Sequence, residues 1–142
     1  MAERRIVTTT PEETQECGRQ LGSKLLALHR GATVCLAGDL GAGKTVFVKG
    51  IASAFGIPPR DVGSASFVLV AEYDTTPLFV HIDLYRIERS ADLEELGIWD
   101  YIGGEAIVVI EWAERLNELP DEAVGVRIEQ LSETEREIFI TE

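Results

Sequence analysis

The amino-acid sequence predicts an α/β fold in three layers, with helices on both faces of a mixed parallel and antiparallel sheet. Three observations lead to this class. Ala32–Ala37 is a short apolar run, typical of a buried strand, that enters a glycine-rich segment followed by a helical pattern. Two later β-like runs flank the polar turn 74–77, which indicates a hairpin. With 142 residues, 45% of them hydrophobic, the chain can bury one core, so we expect a single domain over 1–142.

Two helices are predicted around the glycine-rich segment. In the first, Thr10 suits the N-cap, Pro11 suits the first turn, and Glu13 completes a capping box. Its apolar residues recur at helical spacing: Cys17, Leu21, Leu25 and Leu28. The second helix begins near Lys44 and ends at Gly56. Its apolar face consists of Phe47, Val48, Ile51, Ala52 and Phe55.

The strands are predicted from apolar runs and from alternation. Phe67–Tyr73 and Leu78–Asp83 form the hairpin, and Ile107–Glu111 is another buried strand. The alternating segments Val124–Ile128 and Ile138–Ile140 predict a terminal hairpin. Short helical or turn-like segments are expected at Ser90–Leu96 and Glu114–Leu119.

Charge and cysteine content restrict the function and the compartment. The chain has 13 Lys and Arg against 25 Asp and Glu, a net charge of −12, which argues against wrapping of nucleic acid. The acidity is uneven, because residues 1–60 carry a net +3 and residues 61–142 a net −15. No apolar run reaches the length of a membrane span, and no signal peptide is recognisable. The two cysteines, Cys17 and Cys35, lack metal-binding spacing, so we expect a reducing, cytoplasmic location without membrane contact.

The segment Gly38–Thr45, GDLGAGKT, satisfies the phosphate-loop (P-loop) pattern GxxxxGK[ST] between a predicted strand and a predicted helix. Its glycines allow successive backbone N–H groups to point inward at an anion, and the helix N-terminus adds its positive dipole end. Lys44 is expected to reach the β- and γ-phosphates, and the Thr45 hydroxyl to ligate Mg²⁺. The predicted nucleotide contacts are Asp39, Leu40, Gly41, Ala42, Gly43, Lys44, Thr45 and Val46.

A P-loop needs an acidic partner, and two apolar strands end in one, at Asp83 and Glu111. We predict Asp83 on the Mg²⁺ side, directly or through water, while Glu111 polarises the attacking water or completes the metal shell. The two carboxylates could exchange these roles. Lys44, Asp83 and Glu111 are therefore the candidate catalytic residues.

Other residues near these motifs have two interpretations each. Ser66 could sense the γ-phosphate as a switch residue or be an ordinary polar loop residue. Trp112 could form a wall of the nucleotide site or pack in the core. Arg86 could contact phosphate or form routine salt bridges. His81 is more typical of a buried, hydrogen-bonded imidazole than of a catalyst.

The motifs also narrow the class of nucleotide enzyme. No lysine is followed by Asp two places on, so the guanine-specific NKxD motif is absent and adenine is favoured by elimination. The five basic residues after position 60 are scattered, without the arginine-rich lid that a small-molecule kinase usually carries. A minimal ATPase that acts on a partner protein is the leading hypothesis. The alternatives are a small-molecule kinase and a nucleotide-gated adaptor that does not hydrolyse ATP.

Five segments together resemble the TsaE family, formerly YjeE, over a region from about Thr10 to the C-terminus. They occur in the order and spacing of that family: Gly38–Thr45, Ser64–Tyr73, His81–Arg86, Glu95–Ile102 and Ile110–Leu116. The HxDxYR and EWxE elements are far more specific than the P-loop alone.

The resemblance implies a P-loop fold and Mg²⁺-dependent ATP hydrolysis. It implies association with TsaD and TsaB, which transfer threonylcarbamoyl to the adenosine beside the tRNA anticodon, so that tRNA is engaged only indirectly. Lys44 and Thr45 correspond to the phosphate and Mg²⁺ ligands of the family. Asp83 and Glu111 correspond to its acidic pair, and Trp112 to a motif residue near the site.

Overall fold

A computed structural model describes residues 2–39, 41–63 and 70–142. Leu40, the predicted switch residue Ser66 and the first part of the predicted strand Phe67–Tyr73 lie outside the described residues. Seven strands of the described chain are β1 (Glu3–Thr8), β2 (Ala32–Ala37), β3 (Val70–Tyr73), β4 (Phe79–Asp83), β5 (Ile107–Glu111), β6 (Val124–Gln130) and β7 (Arg136–Thr141). The α-helices there are α1 (Pro11–Ala27), α2 (Lys44–Ser53), α3 (Ser90–Glu95) and α4 (Ile98–Tyr101).

The strands form one mixed sheet in the order β1-β7-β6-β2-β5-β4-β3. At its centre β2 is parallel to both β5 and β6, and β5 is parallel to β4. The two predicted hairpins make its sides antiparallel, since β3 pairs with β4, β6 with β7, and β7 with β1. The strands β2, β5 and β4 are apolar almost throughout, because helices cover both faces of this part of the sheet, whereas β6 exposes Arg127, Glu129 and Gln130.

The alternation of β5 shows how the two faces are divided. Ile107 and Val109 pack with α1 and α2, whereas Val108 and Ile110 pack with α3 and α4. All four side chains are fully buried. The predicted three-layer arrangement and mixed sheet are therefore confirmed.

Thr10 caps α1 as the sequence predicts, and its hydroxyl accepts a hydrogen bond of 3.1 Å from the Glu13 N–H. The reciprocal half of the capping box differs from the prediction. The Glu13 carboxylate accepts from Thr9 instead, from its N–H at 2.7 Å and from its hydroxyl at 3.0 Å. These two hydrogen bonds to Thr9 lower the pKa of Glu13. Thr9 offers two donors where Thr10 would offer only its N–H.

Two elements have no counterpart in the sequence prediction. β1 is an edge strand with four of its six residues exposed, so it carries no apolar run to reveal it. α4 is a single turn that begins after Gly97, which adopts a left-handed conformation with φ 66°. The predicted helical face of α1 is buried except at Leu28, which follows the helix and is exposed.

Within the described ranges, no helix combines the length and the apolar character needed to cross a membrane.

The helices α1 and α2 cross through glycines, so their backbones approach closely. A Cβ atom at Gly18 would collide with the carbonyl of Phe47, and one at Gly22 would lie 2.6 Å from the carbonyl oxygen of Ile51. Because a backbone carbonyl cannot rotate away as a side chain can, a methyl group at either position forces the helices apart.

We therefore predict that Gly18→Ala lowers the free energy of unfolding by about 1 to 3 kcal/mol, despite the higher helix propensity of alanine. Ser23→Ala, at an exposed position of the same helix, should change it by less than about 0.5 kcal/mol. Urea unfolding followed by circular dichroism measures both. Stabilisation by Gly18→Ala would contradict the close approach of the two helices.

Candidate functional site

The glycine-rich loop joins β2 to α2, and three of its glycines have positive φ angles. These are Gly38 at 146°, Gly41 at 77° and Gly43 at 104°, in a region that residues with a side chain rarely adopt. Gly43 is also the N-cap of α2, where no side chain caps the first turn. Since the first N–H groups of a helix lack partners within it, this end of α2 presents donors suited to an anion.

Lys44, the first residue of α2, is held inside this loop and is only 5% exposed. Its ammonium group donates hydrogen bonds to the carbonyl of Gly38 and, at 3.1 Å, to that of Asp39. It also lies 3.8 Å from the centroid of the Trp112 ring, a cation–π contact. Burial lowers the pKa of Lys44, while Glu114, Glu111 and Asp83 oppose that shift.

The two predicted carboxylates meet at the end of neighbouring parallel strands. Asp83 ends β4 and Glu111 ends β5, and the register pairs them directly. Glu111 is only 2% exposed, and its Oε1 accepts a hydrogen bond of 3.4 Å from the Thr45 hydroxyl. Asp83 is half-buried, and its Oδ1 accepts from the N–H of Tyr85 at 3.0 Å. The sheet thus brings both acids to the start of α2.

The pKa of Asp83 is raised, and burial is the largest cause. The nearby Glu111 raises it further, against the opposing effects of the Tyr85 hydrogen bond and of the nearby His81 and Lys44. The folded protein therefore disfavours the ionised form of Asp83, mainly because the carboxyl is partly buried. Perturbed carboxylates of this kind are common at functional sites.

His81 is buried and hydrogen-bonded, as its sequence context indicates. It is 1% exposed, and its Nε2 lies 2.6 Å from Oε2 of Glu111. Its partner could not be read from the sequence, because 30 residues separate the two side chains.

Trp112 directly follows β5 and has a left-handed backbone, with φ 58° and ψ 42°. This conformation is costly for a residue with a large side chain. It turns the ring toward Lys44 and places it 5.0 Å from the ring of Tyr85, centroid to centroid. Trp112 thus lines the cavity beside the glycine-rich loop and also packs against the core cluster that contains Ile110 and Leu116, so both interpretations apply.

A cavity of about 780 Å³ collects most of the predicted site residues. Those lining it are Asp39, Gly41, Gly43, Lys44, Thr45, Val46, Asp83, Glu111 and Trp112. Ala42 does not line the cavity, because it is buried beneath the loop and its N–H donates to the carbonyl of Asp39 at 3.1 Å. Arg86, for which the sequence left two interpretations, also lines it. The volume lies within the range of small-molecule sites.

Sequence reasoning missed another wall of the cavity. This wall consists of the β1–α1 junction, with Thr9 and Thr10, and the β6–β7 turn, with Thr134 and Arg136. The Arg136 guanidinium donates to the carbonyl of Gly41 at 3.4 Å and to the Ser132 carbonyl in its own turn at 3.0 Å. A single arginine far along the chain carries no motif, and only the β6–β7 pairing brings it to the loop.

The oxygen atoms around the carboxylate pair suit Mg²⁺ that is bound together with a phosphate ligand, rather than a metal ion held only by protein side chains. Thr45, Asp83 and Glu111 offer oxygen atoms, which Mg²⁺ prefers. Among the described residues, no group of three or more His, Cys, Asp or Glu side chains could hold a metal ion. Mg²⁺ usually takes one or two carboxylates and completes its shell with phosphates and water. The site therefore suits Mg²⁺ that arrives with a phosphate ligand.

Comparisons with known proteins agree on one family. The model of the family "Threonylcarbamoyl adenosine biosynthesis protein TsaE" matches residues 8–138. The tRNA threonylcarbamoyladenosine biosynthesis protein TsaE of Bacillus subtilis is 40% identical over 139 residues, covering 94% of this chain and 82% of the relative. The Treponema pallidum protein of the same name is 35% identical, covering 96% and 98%. The crystal structure of YdiB from Bacillus subtilis superposes with a TM-score of 0.78 at 31% identity, covering 98% of this chain and 84% of that one.

The raised pKa of Asp83 leads to a prediction on stability. Because folding disfavours the ionised form of this carboxyl, the fold loses stability as the pH rises through the folded-state pKa. Asp83→Asn removes the charge and keeps an oxygen that can accept from Tyr85. The variant should therefore be more stable than the wild type at pH 7, and the difference should vanish below the ordinary aspartate pKa of about 3.9.

Urea unfolding in metal-free buffer across this pH range tests the prediction. Asp121→Asn, at an exposed position, is the matched control. If Asp83→Asn is less stable than the wild type at pH 7, the result would contradict the prediction that the ionised Asp83 carboxylate destabilises the fold.

Proposed function

Since the chain belongs to the TsaE family, we propose that it binds and hydrolyses ATP with Mg²⁺ in support of tRNA threonylcarbamoyladenosine modification. One observation carries the proposal: Lys44, Thr45 and the Asp83–Glu111 pair converge on a single cavity at the N-terminus of α2. A positive group, a hydroxyl and carboxylates that can hold Mg²⁺ or orient a water molecule are recurring parts of sites for phosphoryl transfer to water.

The phosphate end of the nucleotide is proposed to lie over the glycine-rich loop. There the N-terminal amides of α2 and the Lys44 ammonium would neutralise the phosphate charges. The loop carbonyls that Lys44 now contacts compete weakly for a cation, so phosphate oxygens can take their place. Arg136 approaches the same loop from β7 and is proposed as a second basic contact.

The two acids are proposed to have different roles, which follow from the residues that each of them contacts. Glu111 shares a hydrogen bond with Thr45, which supports placing Glu111 and Thr45 together on the Mg²⁺ side. Asp83, whose raised pKa makes it a better proton acceptor, would then orient the attacking water. This is the exchange of roles that the sequence left open. Bound Mg²⁺ would neutralise charge on the phosphates of ATP.

The chain is proposed to act on proteins, TsaB and TsaD, in the cytoplasm, and to meet tRNA only through them. Its net charge of −12 opposes direct binding to a polyanion. The acidity of residues 61–142, at −15, suits docking on a basic protein surface instead.

We predict that Lys44→Ala reduces ATP hydrolysis by at least about 100-fold, because it removes the buried cation that stabilises charge in the transition state. Glu111→Gln and Asp83→Asn should each lose most of the activity while retaining the fold. Phosphate release with saturating Mg²⁺-ATP measures these rates. Lys24→Ala, whose exposed side chain pairs with Glu142, is the control and should hydrolyse at the wild-type rate. Unchanged turnover in Lys44→Ala would contradict the P-loop assignment.

A second prediction concerns the pathway. Reconstituted threonylcarbamoylation of tRNA with TsaB and TsaD should need this chain under multiple-turnover conditions, and the Lys44→Ala variant should not replace it. No dependence on the chain with a competent TsaB–TsaD pair would contradict the proposal. ATP consumption that requires a metabolite would instead support a small-molecule kinase. Full support from Glu111→Gln would indicate an adaptor that binds ATP without hydrolysing it.

A further inference from the structure

Behind the carboxylate pair lies a buried polar contact that the proposed mechanism does not use. His81 Nε2 and Glu111 Oε2 are 2.6 Å apart, and both side chains are almost fully enclosed, at 1% and 3% exposure. Burying two such groups costs free energy unless they satisfy each other. An apolar side chain at position 81 would be buried at a lower free-energy cost, so a buried imidazole there indicates a specific role.

The strand register explains how the two side chains meet. On β4 and β5, His81 pairs with Val109 and Asp83 with Glu111, so all four lie on the same face of the sheet. His81 therefore precedes Glu111 by one same-face residue pair along the parallel strands. It is not among the residues that line the cavity.

The two oxygens of Glu111 consequently have different partners. Oε2 faces His81 at 2.6 Å, and Oε1 faces the Thr45 hydroxyl at 3.4 Å. A partial rotation of the carboxylate plane would break both contacts. The bond to His81 is the shorter and the more deeply buried of the two, so it holds the plane of the carboxylate and keeps the other oxygen turned toward Thr45.

We propose that His81 is a positioning residue, which donates its Nε2–H to Glu111 and thereby holds Oε1 of that carboxylate beside Thr45. The proposal rests on the proposed function, because it assigns to Glu111 a role at the Mg²⁺-nucleotide site. His81 touches neither nucleotide nor metal, and its effect passes through Glu111. Partners of this kind typically change metal affinity or activity by about 10- to 100-fold when they are removed.

Three substitutions separate positioning from simple packing. His81→Gln keeps an N–H donor four bonds from Cα, as Nε2 of histidine is, whereas His81→Asn places its donor one bond short. His81→Leu fills the space without a donor. We expect His81→Leu and His81→Asn to lower kcat for hydrolysis by about 10- to 100-fold with little change in the KM for ATP, and His81→Gln to recover most of the loss.

A binding measurement provides a readout that does not depend on hydrolysis. Trp112 lies against Lys44, so its fluorescence in a Trp99→Phe background should report binding of the non-hydrolysable ATP analogue AMP-PNP. Titrating Mg²⁺ at a fixed concentration of the analogue gives the half-saturating Mg²⁺ concentration. It should rise about 10-fold or more in His81→Leu and His81→Asn, and stay near the wild-type value in His81→Gln.

A double-mutant cycle tests whether His81 acts through Glu111. In a Glu111→Gln background, His81→Leu should cause little further change in kcat or in Mg²⁺ dependence. Thermal unfolding of each variant checks that it is folded, and His81→Gln and His81→Asn replace His81→Leu if that variant is not. Additive effects in the cycle, or equal behaviour of the Gln and Asn variants, would overturn the proposal. A wild-type chain that binds Mg²⁺-nucleotide without hydrolysing it would contradict the proposed ATPase activity alone, and the Mg²⁺ titration would still decide the role of His81.

Discussion

The parallel pairing of β5 with β2 on one side and β4 on the other is the constraint on which the rest of the site depends. It brings three strand ends to one edge of the sheet, so the glycine-rich loop after β2 faces Asp83 and Glu111. Hydrogen bonding in the sheet holds neighbouring strands about 5 Å apart, which is the spacing at which two carboxylates can share one ligand. A shift of one residue in this register would turn Glu111 to the opposite face.

This arrangement is costly for the folded state. Lys44 and Glu111 are ionisable groups with almost no access to solvent, and Asp83 is held close to Glu111 with a raised pKa. Trp112 has a left-handed backbone beside them. Apolar packing on both faces of the sheet offsets these costs, because the strands that carry the acids are otherwise hydrophobic except at His81. The apolar sheet thus stabilises the fold, and the ionisable groups that destabilise it lie at the ends of its strands.

Much of the fold was predictable where local pattern and tertiary environment agree. β2 and β5 have the predicted bounds, because a strand buried on both faces forms a mostly apolar run that stands out in the sequence. Thr10 could be recognised as a cap because capping involves only neighbouring residues. β1 escaped prediction because an exposed edge strand is specified by its partner β7 rather than by its own side chains.

The sequence by itself determined which residues could carry the chemistry: the glycine-rich loop with Lys44 and Thr45, and the two acids at strand ends. These follow from local rules, since a tight loop needs glycines and an apolar strand ends where a charge begins. Only the tertiary structure decided that Glu111 lies between Thr45 and His81, with one carboxylate oxygen toward each, and that Arg136 reaches the loop from β7. Those contacts join residues between 30 and 95 positions apart, and only the pairing of the strands brings them together.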